Sequence, residues 1–274
     1  DKAPDWIQHK RIDAVMNYPF AYAVVDFFIA RKRQISVSEF DRRLRQLRET
    51  YPGSTDLILM NLIDSHDTDR IASMIKNPDR NYDRQAGLRD NPKYDPTAPT
   101  PREKRIQKLI ATFQMTYVGA PAIYYGDEAG MWGGDDPDDR KPMLWPDLQY
   151  ENETYRSVRP DLHQSDPVRF DAELFDYYKK LIGLRHAHPS LRFGDFRTRL
   201  VDDKRRVFAY SRTYRGDKVF VVLNNSPEEQ TVQVQTDWGE GQLVEKLSGQ
   251  TLWVKDQQVG VSLPAYGAAI LVQE

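Results

Sequence analysis

The string NLIDSHDTDR, Asn61–Arg70, constrains this chain more than any other feature of its sequence. An apolar run, Leu57–Ile63, leads directly into the polar residues His66 and Asp67. A buried run that ends in polar side chains is typical of a parallel strand. In a β/α barrel, active sites are built at the carboxyl ends of such strands. The sequence therefore predicts a strand over 57–63 that delivers a candidate site at its carboxyl end.

The same pattern occurs twice more. Ala122–Tyr125 is a short apolar run that is followed by a glycine, Asp127 and Glu128, and Ile12–Tyr18 (IDAVMNY) reads as another short buried strand. Strands that alternate with helices indicate an α/β fold with a parallel sheet. Three strand–helix units are nevertheless too few to close a (β/α)8 barrel.

Helices are predicted between these strands from apolar periodicity and capping signals. An S-x-x-E capping box opens one helix at Ser36, and a T-P-x-E box opens another at Thr100. Four helices are predicted. The first is Phe20–Arg31 and the last is Phe170–His188. Between them lie one helix that is capped by Ser36 and Glu39 and ends at Pro52 and Gly53, and one that is capped by Thr100 and Glu103.

After Pro189 the pattern changes to short, often alternating apolar runs separated by Asp, Gly, Asn and Pro. This pattern predicts an all-β antiparallel sandwich domain. We place the domains at 1–190 and 191–274. The predicted strands are Phe196–Leu200, Arg206–Tyr210, Lys218–Leu223, Thr231–Gln235, Gln242–Leu247, Val259–Leu263 and Ala268–Val272.

Composition excludes several partners. The formal net charge of -2, with arginines interleaved among acids, argues against a nucleic-acid partner, which would need concentrated basic charge. No apolar stretch is long enough to span a bilayer, so no membrane partner is predicted. The chain has no cysteine, which excludes disulfides and thiolate metal sites and leaves the cellular compartment open.

Three motifs in order resemble glycoside hydrolase family 13, the α-amylase family, and in particular its neopullulanase, cyclomaltodextrinase and maltogenic amylase group. The segment IDAVMNYPF is similar to that group's sixth barrel strand, Asn61–Arg70 to its seventh, and Gly119–Asp147 to its eighth strand and following loop. The β module resembles the family's C-terminal domain. The resemblance thus implies about strands 6–8 of a TIM barrel, followed by the C-terminal domain.

The resemblance also assigns roles to individual residues. It implies that Asp67 stabilises the transition state at the cleaved bond, that His66 donates to the same sugar, and that Asp136 and Arg140 clamp the next glucose. A loop-stabilising ion pair is the alternative for Asp136 and Arg140. We further expect Asn17 and Tyr18 to line the site and Trp132 to stack on a sugar face. Trp145 either stacks on a sugar or packs in the core. Glu128 is expected in a structural role, and Arg70 as an ion-pair or shape residue.

Retaining glycosidases need a nucleophile and an acid/base on opposite sides of the scissile bond. The chain begins with a segment that resembles the part just after the family's acid glutamate, and it carries the family's third carboxylate alone. We therefore expect the C-terminal fragment of a retaining α-glycosidase, inactive alone, whose parent acts on α-1,4 and perhaps α-1,6 bonds in glucans, maltooligosaccharides or cyclodextrins. Isomerase activity would use the same residues. The alternative is a non-catalytic, amylase-like protein that binds carbohydrate or a protein partner.

No required metal or other cofactor is predicted for this chain. Of the candidate ligands His163, His186 and His188, the last two lie on different helix faces and cannot easily share one ion. The Asp135–Asp139 segment lacks the spacing of a calcium loop. The resemblance allows calcium in the parent. Open strand edges and a bare apolar inner face predict self-association or pairing with the missing N-terminal half.

Overall fold

A computed structural model describes residues 2–51, 54–82, 84–155, 162 and 164–273. Its first part contains a parallel pair of strands surrounded by helices, and its second part is an antiparallel sheet. The predicted fold class is confirmed. The helix stop at Pro52 and Gly53 and the side chain of His163 lie outside the described residues.

The helices predicted from periodicity are present with small shifts in their bounds. Phe20–Arg31 corresponds to an α-helix that continues into one π-helical segment, Val25–Ile29. The described helices are α1 Ala3–Gln8, α2 Tyr18–Val24, α3 Val37–Thr50, α4 Ile71–Lys76, α5 Pro101–Thr116, α6 Ala172–Ala187 and α7 Pro189–Phe193. The short helices α1, α4 and α7 were not predicted, because none spans enough turns to show a periodic face.

Of the two capping boxes predicted from the sequence, one forms both of its hydrogen bonds and the other forms only one. At α5, Thr100 accepts from the Glu103 backbone and Glu103 accepts from the Thr100 backbone. At α3, Ser36 accepts from the backbone of Glu39, whose carboxylate instead binds the guanidinium groups of two arginines. Those arginines lower the pKa of Glu39 to about 2.

The barrel strands are shorter than predicted, although their order is as expected. β1 (Met60–Asn61) pairs in parallel with β2 (Ala120–Pro121), and Met16 forms a parallel bridge to Met60. The strand predicted over 57–63 is therefore wrong in extent, and the one predicted over 12–18 is reduced to the bridge at Met16. The strand predicted over 122–125 is wrong in position, because the paired residues are Ala120 and Pro121. Of the apolar side chains in these runs, Leu59, Leu62 and Ile63 are buried, whereas Met16, Ile58, Met60 and Tyr125 are exposed. The backbone ladder covers only the few residues that face a neighbouring segment.

Asn61 sets the register of this parallel group. Its side chain accepts from Asn17 Nδ2 at 2.8 Å and donates to the Val118 carbonyl at 2.6 Å. Gln114 on α5 donates to the backbone carbonyl of Asn61 at 2.9 Å. One buried amide thus joins all three parallel segments just before the chain reaches His66 and Asp67.

The C-terminal part is one eight-stranded antiparallel sheet, and a small separate pair of strands precedes it. The pair is β3 Glu153–Thr154 and β4 Ser165–Asp166, and the strands of the sheet are β5 Asp195–Asp202, β6 Val207–Tyr214, β7 Asp217–Asn224, β8 Gln230–Gln235, β9 Gly241–Glu245, β10 Thr251–Lys255, β11 Gln258–Leu263 and β12 Ala268–Gln273. Their order in the sheet is β5-β6-β7-β12-β9-β10-β11-β8. Seven of these strands were predicted, whereas β10, which carries the exposed Trp253, was missed.

The sheet curls so that both of its faces near β6 are buried. Val207 and Ala209 point into the core of the sheet domain, while the alternating residues Phe208 and Tyr210 pack against the helices. The centroids of the Phe113 ring on α5 and the Tyr210 ring lie 6.1 Å apart. One apolar core therefore holds the barrel helices on the sheet.

Candidate active site

In the segment after β1, two exposed residues stand between buried ones. Asp67 and His66 are exposed, with 61% and 59% of their side chains accessible, whereas Thr68, Asp69 and Arg70 are buried. The turn is held locally, because the Thr68 hydroxyl accepts from the Ser65 backbone at 3.0 Å. The His66 and Asp67 side chains are therefore presented to solvent by a turn whose next three residues are anchored.

Arg140 joins the two predicted parts of the site. Its Nη2 lies 3.5 Å from Asp67 Oδ1, and its Nε lies 3.2 Å from Asp136 Oδ1. Asp67 Oδ1 also lies 3.3 Å from His66 Nε2. The structure thus brings His66 and Asp67 together with Asp136 and Arg140, from two separate segments of the chain, into one exposed cluster, here called the clamp.

Arg70 holds the elements beneath the clamp together. Its guanidinium is fully buried and donates to the carbonyls of Tyr125 at 2.6 Å and Asp139 at 2.7 Å. The backbone of Arg70 also donates to the Gly133 carbonyl at 3.1 Å. Arg70 therefore fixes the loop that carries Asp136 and Arg140 against the turn that carries Asp67, in agreement with its predicted shape role.

Asp127 does not face the exposed cluster. It is 3% exposed, and its Oδ1 lies 3.3 Å from Arg70 Nη1. Burial raises the pKa of Asp127 well above its ordinary value, and the hydrogen-bonded Asp64 adds to this shift. Burial also raises the pKa of Asp64, which accepts from the Ile71 backbone at the start of α4. The neighbouring Glu128 accepts from the Gly126 backbone at 2.9 Å, a local structural contact.

Asp139 was not singled out in the sequence, yet it is the buried acid of the loop. It is fully buried, and neither of its carboxylate oxygens has a hydrogen-bond partner within the described part of the chain. The Arg140 guanidinium lies 3.9 Å away. Burial raises the pKa of Asp139 to about 6, against the opposing effect of Arg140. Four of the five residues from 135 to 139 are aspartates, so the sequence gives no signal for which one is buried.

A second buried network lies behind the turn. Asp69 is fully buried and accepts from the Tyr94 hydroxyl at 2.8 Å and from the Arg80 guanidinium. Burial raises the pKa of Asp69 to about 7, while Arg80 opposes the shift. This network ties the long polar loop of residues 77–100 to the strand-end motif, although nothing in the sequence spacing indicated it.

The other sequence-predicted substrate residues have structural contacts. Asn17 is 1% exposed and caps α2 in addition to binding Asn61. Tyr18 is half-buried and packs at 6.2 Å from the Tyr82 ring. Trp132 is 7% exposed, and its indole nitrogen donates to the Pro96 carbonyl. Their roles in binding stay predictions, although the burial of Trp132 leaves little of its ring accessible to a sugar. Trp145 is 53% exposed.

Two further features bear on ligands. Within the described ranges, no group of three or more His, Asp or Glu side chains is arranged to hold a metal ion. The described helices include none with the length and apolar character that crossing a membrane requires. The prediction that this chain requires no metal stays a prediction.

Comparison with known proteins identifies the family. The family model for the α-amylase catalytic domain matches residues 1–194, and the model for the maltogenic amylase C-terminal domain matches residues 196–270. The chain belongs to the α-amylase family, glycoside hydrolase family 13. The division of this family member at residue 190 stays a prediction.

The relatives are glycosidases of the same family. A cyclomaltodextrinase of Geobacillus thermopakistaniensis is 32% identical over 99% of this chain, and neopullulanase 2 of Thermoactinomyces vulgaris is 34% identical over 98%. The chain spans 38% of the length of each of these relatives. Among solved structures, a cyclomaltodextrinase matches with a TM-score of 0.75 and 30% identity, over 100% of this chain and 39% of that one. An Anoxybacillus α-amylase matches with a TM-score of 0.73 and 25% identity, over 99% and 49%.

Proposed function

We propose that this chain supplies the sugar-holding part of the active site of a retaining α-glycosidase. The observation that carries the proposal is the Arg140 guanidinium, which lies between the carboxylates of Asp67 and Asp136. In this arrangement Asp67 and His66 hold the reacting glucose, and Asp136 and Arg140 hold its neighbour. The substrates are α-glucans, maltooligosaccharides or cyclodextrins, the class suggested by the names of the relatives.

The chemistry of the clamp suits a neutral sugar. A carboxylate accepts from sugar hydroxyls, and a guanidinium presents several donors in one plane, which matches vicinal hydroxyl oxygens. Asp67 is exposed, so its second oxygen is free to face a ligand while Oδ1 faces Arg140. A hydrogen bond from a ring hydroxyl to this carboxylate strengthens as positive charge develops on the sugar in the transition state.

The bond-breaking groups lie outside these 274 residues in this proposal. A carboxylate nucleophile attacks the anomeric carbon while a carboxylic acid protonates the leaving oxygen, and water or a second sugar resolves the covalent intermediate. The chain alone therefore binds sugar without cleaving it. The chain spans 38% of the length of each relative, which supports the proposal that further sequence supplies the bond-breaking groups.

Two measurements test the proposal. Calorimetric titration of the 274-residue chain with maltose should show binding that Asp67→Asn and Arg140→Gln each weaken about tenfold, the factor that the loss of one charged hydrogen bond represents. Arg84→Gln, which removes an exposed arginine of the neighbouring loop, is the matched control and should leave binding unchanged. Maltose binding that survives both clamp substitutions would remove the basis of the proposal.

Catalysis is tested in the longer parent protein. Asp67→Asn there should lower kcat by a few orders of magnitude with a smaller change in KM, because the contact strengthens in the transition state. A loss of less than tenfold would contradict the assigned role of Asp67. A parent that binds maltose but hydrolyses no maltotriose, cyclodextrin or pullulan would establish the non-catalytic alternative.

A further inference from the structure

The tryptophan of β10 stands apart on the surface of the C-terminal sheet. Trp253 is 67% exposed, the largest value of any large apolar side chain in the described part of the chain. Its neighbours along the strand, Leu252 and Val254, point to the other face and pack in the core of the sheet domain. Within the described residues the indole forms no hydrogen bond and contacts no other ring. Tryptophan is highly buried on average, so this ring is an unusual apolar surface open to a ligand.

The outward face of strands β8, β9, β10 and β11, here called the outer face, is nearly uncharged. Exposed and buried residues alternate along β8 and β11, as expected for strands with one solvated face. Lys255 is the one charged residue that points outward from these four described strands. Charged residues make up 29% of the whole chain, so composition does not account for this near absence of charge. A face of this kind offers little electrostatic attraction to an ionic ligand.

Amides and hydroxyls take the place of charges on the outer face. Gln258 donates to Gln235 across the strand pair at 3.4 Å, and the hydroxyls of Thr231 and Ser262 lie 2.9 Å apart. All four side chains are exposed. Amide and hydroxyl groups both donate and accept, and these contacts use only part of that capacity. The strands β8 and β11 therefore present an ordered row of neutral hydrogen-bonding groups.

The space beside Trp253 on this face is open. On β9 its cross-strand partner is Gln242, an exposed amide. In the register of β10 against β11, Gly260 is the position across from Trp253, and it carries no side chain. The atoms nearest to a Cβ at Gly260 would be those of the Gln233 side chain, at 3.1–3.7 Å. The indole is thus flanked by amides and by a gap, with no side chain from β11 at the position across from it.

This chemistry fits a neutral sugar better than a protein partner. A protein interface is built around several apolar or aromatic anchors, whereas the outer face of the described strands offers Trp253 and the half-buried Val244. A pyranose ring has C–H groups on its faces, which pack on the electron-rich face of an indole, and hydroxyls around its edge, which bind amides. One ring on an open surface buries little area, so several units of a chain must contribute for useful affinity.

We propose that the outer face is a second carbohydrate-binding surface, separate from the clamp, that holds a neutral α-glucan chain. One glucose ring packs on Trp253, and hydroxyls of the chain bind Gln242 and the glutamines of β8 and β11. The class of ligand rests on the proposed function, while the location rests on the sheet alone. Such a surface keeps a polymeric substrate on the protein while the clamp holds the units next to the cleaved bond.

Native gel electrophoresis through amylopectin tests the proposal. All variants carry Arg140→Gln, so that retardation by the polymer reports the outer face with little contribution from the clamp. This chain should be retarded, and adding Trp253→Ala should weaken its apparent affinity about tenfold, which corresponds to about 1.4 kcal/mol. Trp253→Phe, which keeps a smaller ring, should show an intermediate loss. Phe193→Ala is the matched control, because it removes a 51% exposed ring on α7 and should leave retardation unchanged.

Two further measurements separate the other occupants. Binding of a neutral glucan should be unchanged between about 0.05 and 0.5 M salt, and a steep loss would identify an ionic ligand and overturn the proposal. Light scattering of Trp253→Ala should match that of the parent variant. A change in self-association without any amylopectin retardation would make the outer face a contact between copies of the chain, which also overturns the proposal.

Failure of this inference is distinguishable from failure of the proposed function. Calorimetry with maltose reports the clamp, and Trp253→Ala in the otherwise unsubstituted chain should leave maltose affinity unchanged. Maltose binding without retardation by amylopectin, or retardation that Trp253→Ala does not weaken, would overturn the second surface alone. Retardation that depends on Trp253 in a chain that does not bind maltose would support the outer face and overturn the proposed function.

Discussion

Arg70→Met should destabilise the protein strongly, because Arg70 is the buried tie beneath the clamp. Its guanidinium donates at 2.6 Å to the Tyr125 carbonyl and at 2.7 Å to the Asp139 carbonyl. A hydrogen bond from a charged donor contributes about 1.5–3 kcal/mol, so the two bonds together contribute about 3–6 kcal/mol. The rings of Tyr124 and Tyr125, 4.6 and 4.9 Å from the guanidinium carbon, add to the loss.

One contribution opposes this loss. The Nε of Arg70 is buried and has no partner within the described residues, so methionine removes an unsatisfied donor whose burial costs about 1–3 kcal/mol. The expected net change is a loss of about 3–5 kcal/mol, the range measured when one partner of a buried ionic contact is removed. With a urea dependence of about 2–3 kcal/mol per molar, the unfolding midpoint should fall by about 1–2 M.

Urea unfolding followed by tryptophan fluorescence and circular dichroism measures this change. Arg140→Gln is the matched control, because Arg140 is 44% exposed and its ion pairs should contribute no more than about 1 kcal/mol. Arg70→Met should also abolish maltose binding, since the turn and the loop lose their connection. A midpoint for Arg70→Met that equals that of Arg140→Gln would refute the role given to Arg70.

Two other substitutions test the electrostatics of the loop and the packing of the domains. Burial raises the pKa of Asp139 to about 6 from an unfolded value of 3.8, so its protonated form favours the folded state and this contribution is lost as pH rises through 6. Asp139→Asn should remove that dependence. The unfolding free energy of the variant minus that of the unsubstituted protein should therefore rise by roughly 2 kcal/mol between pH 4 and pH 7. Urea titrations at the two pH values measure this difference, and a difference that stays constant would contradict the prediction. Phe113→Ala removes a fully buried ring that lies 5.2 Å from Phe40 and 6.1 Å from Tyr210, and it should cost about 3–5 kcal/mol in thermal or urea unfolding, whereas a cost below about 1 kcal/mol would show that the helices and the sheet do not share this core.

Local signals in the sequence predicted the elements that are determined locally. The Thr100 and Glu103 capping box marks the start of α5, and the structure shows both of its hydrogen bonds. The alternating runs after Pro189 predicted seven strands of the sheet, because one buried face repeats every second residue. The missed strand β10 is short, and its Trp253 faces solvent, so its pattern lacked a clear buried face.

The barrel strands and the buried acids depend on distant partners, which a sequence does not display. Leu59, Leu62 and Ile63 are buried as predicted, but a ladder forms only where β1 meets β2 and Met16. The contact between Asp69 and Tyr94 spans 25 residues of polar loop. Within Asp135–Asp139, the path of the loop decides that Asp139 is buried while Asp136 faces Arg140.

The clamp residues are exposed, whereas the groups that support them are buried. His66, Asp67, Asp136 and Arg140 face solvent, and their binding of sugar is a prediction from the resemblance. Their relative positions follow from buried groups next to them in sequence. Arg70 binds the main chain of Tyr125 and Asp139, and Asp69 binds Tyr94 and Arg80. Because these contacts join the loops directly, a chain that kept His66 and Asp67 but lost Arg70 would keep the motif without the geometry that brings Asp67 within 3.5 Å of Arg140.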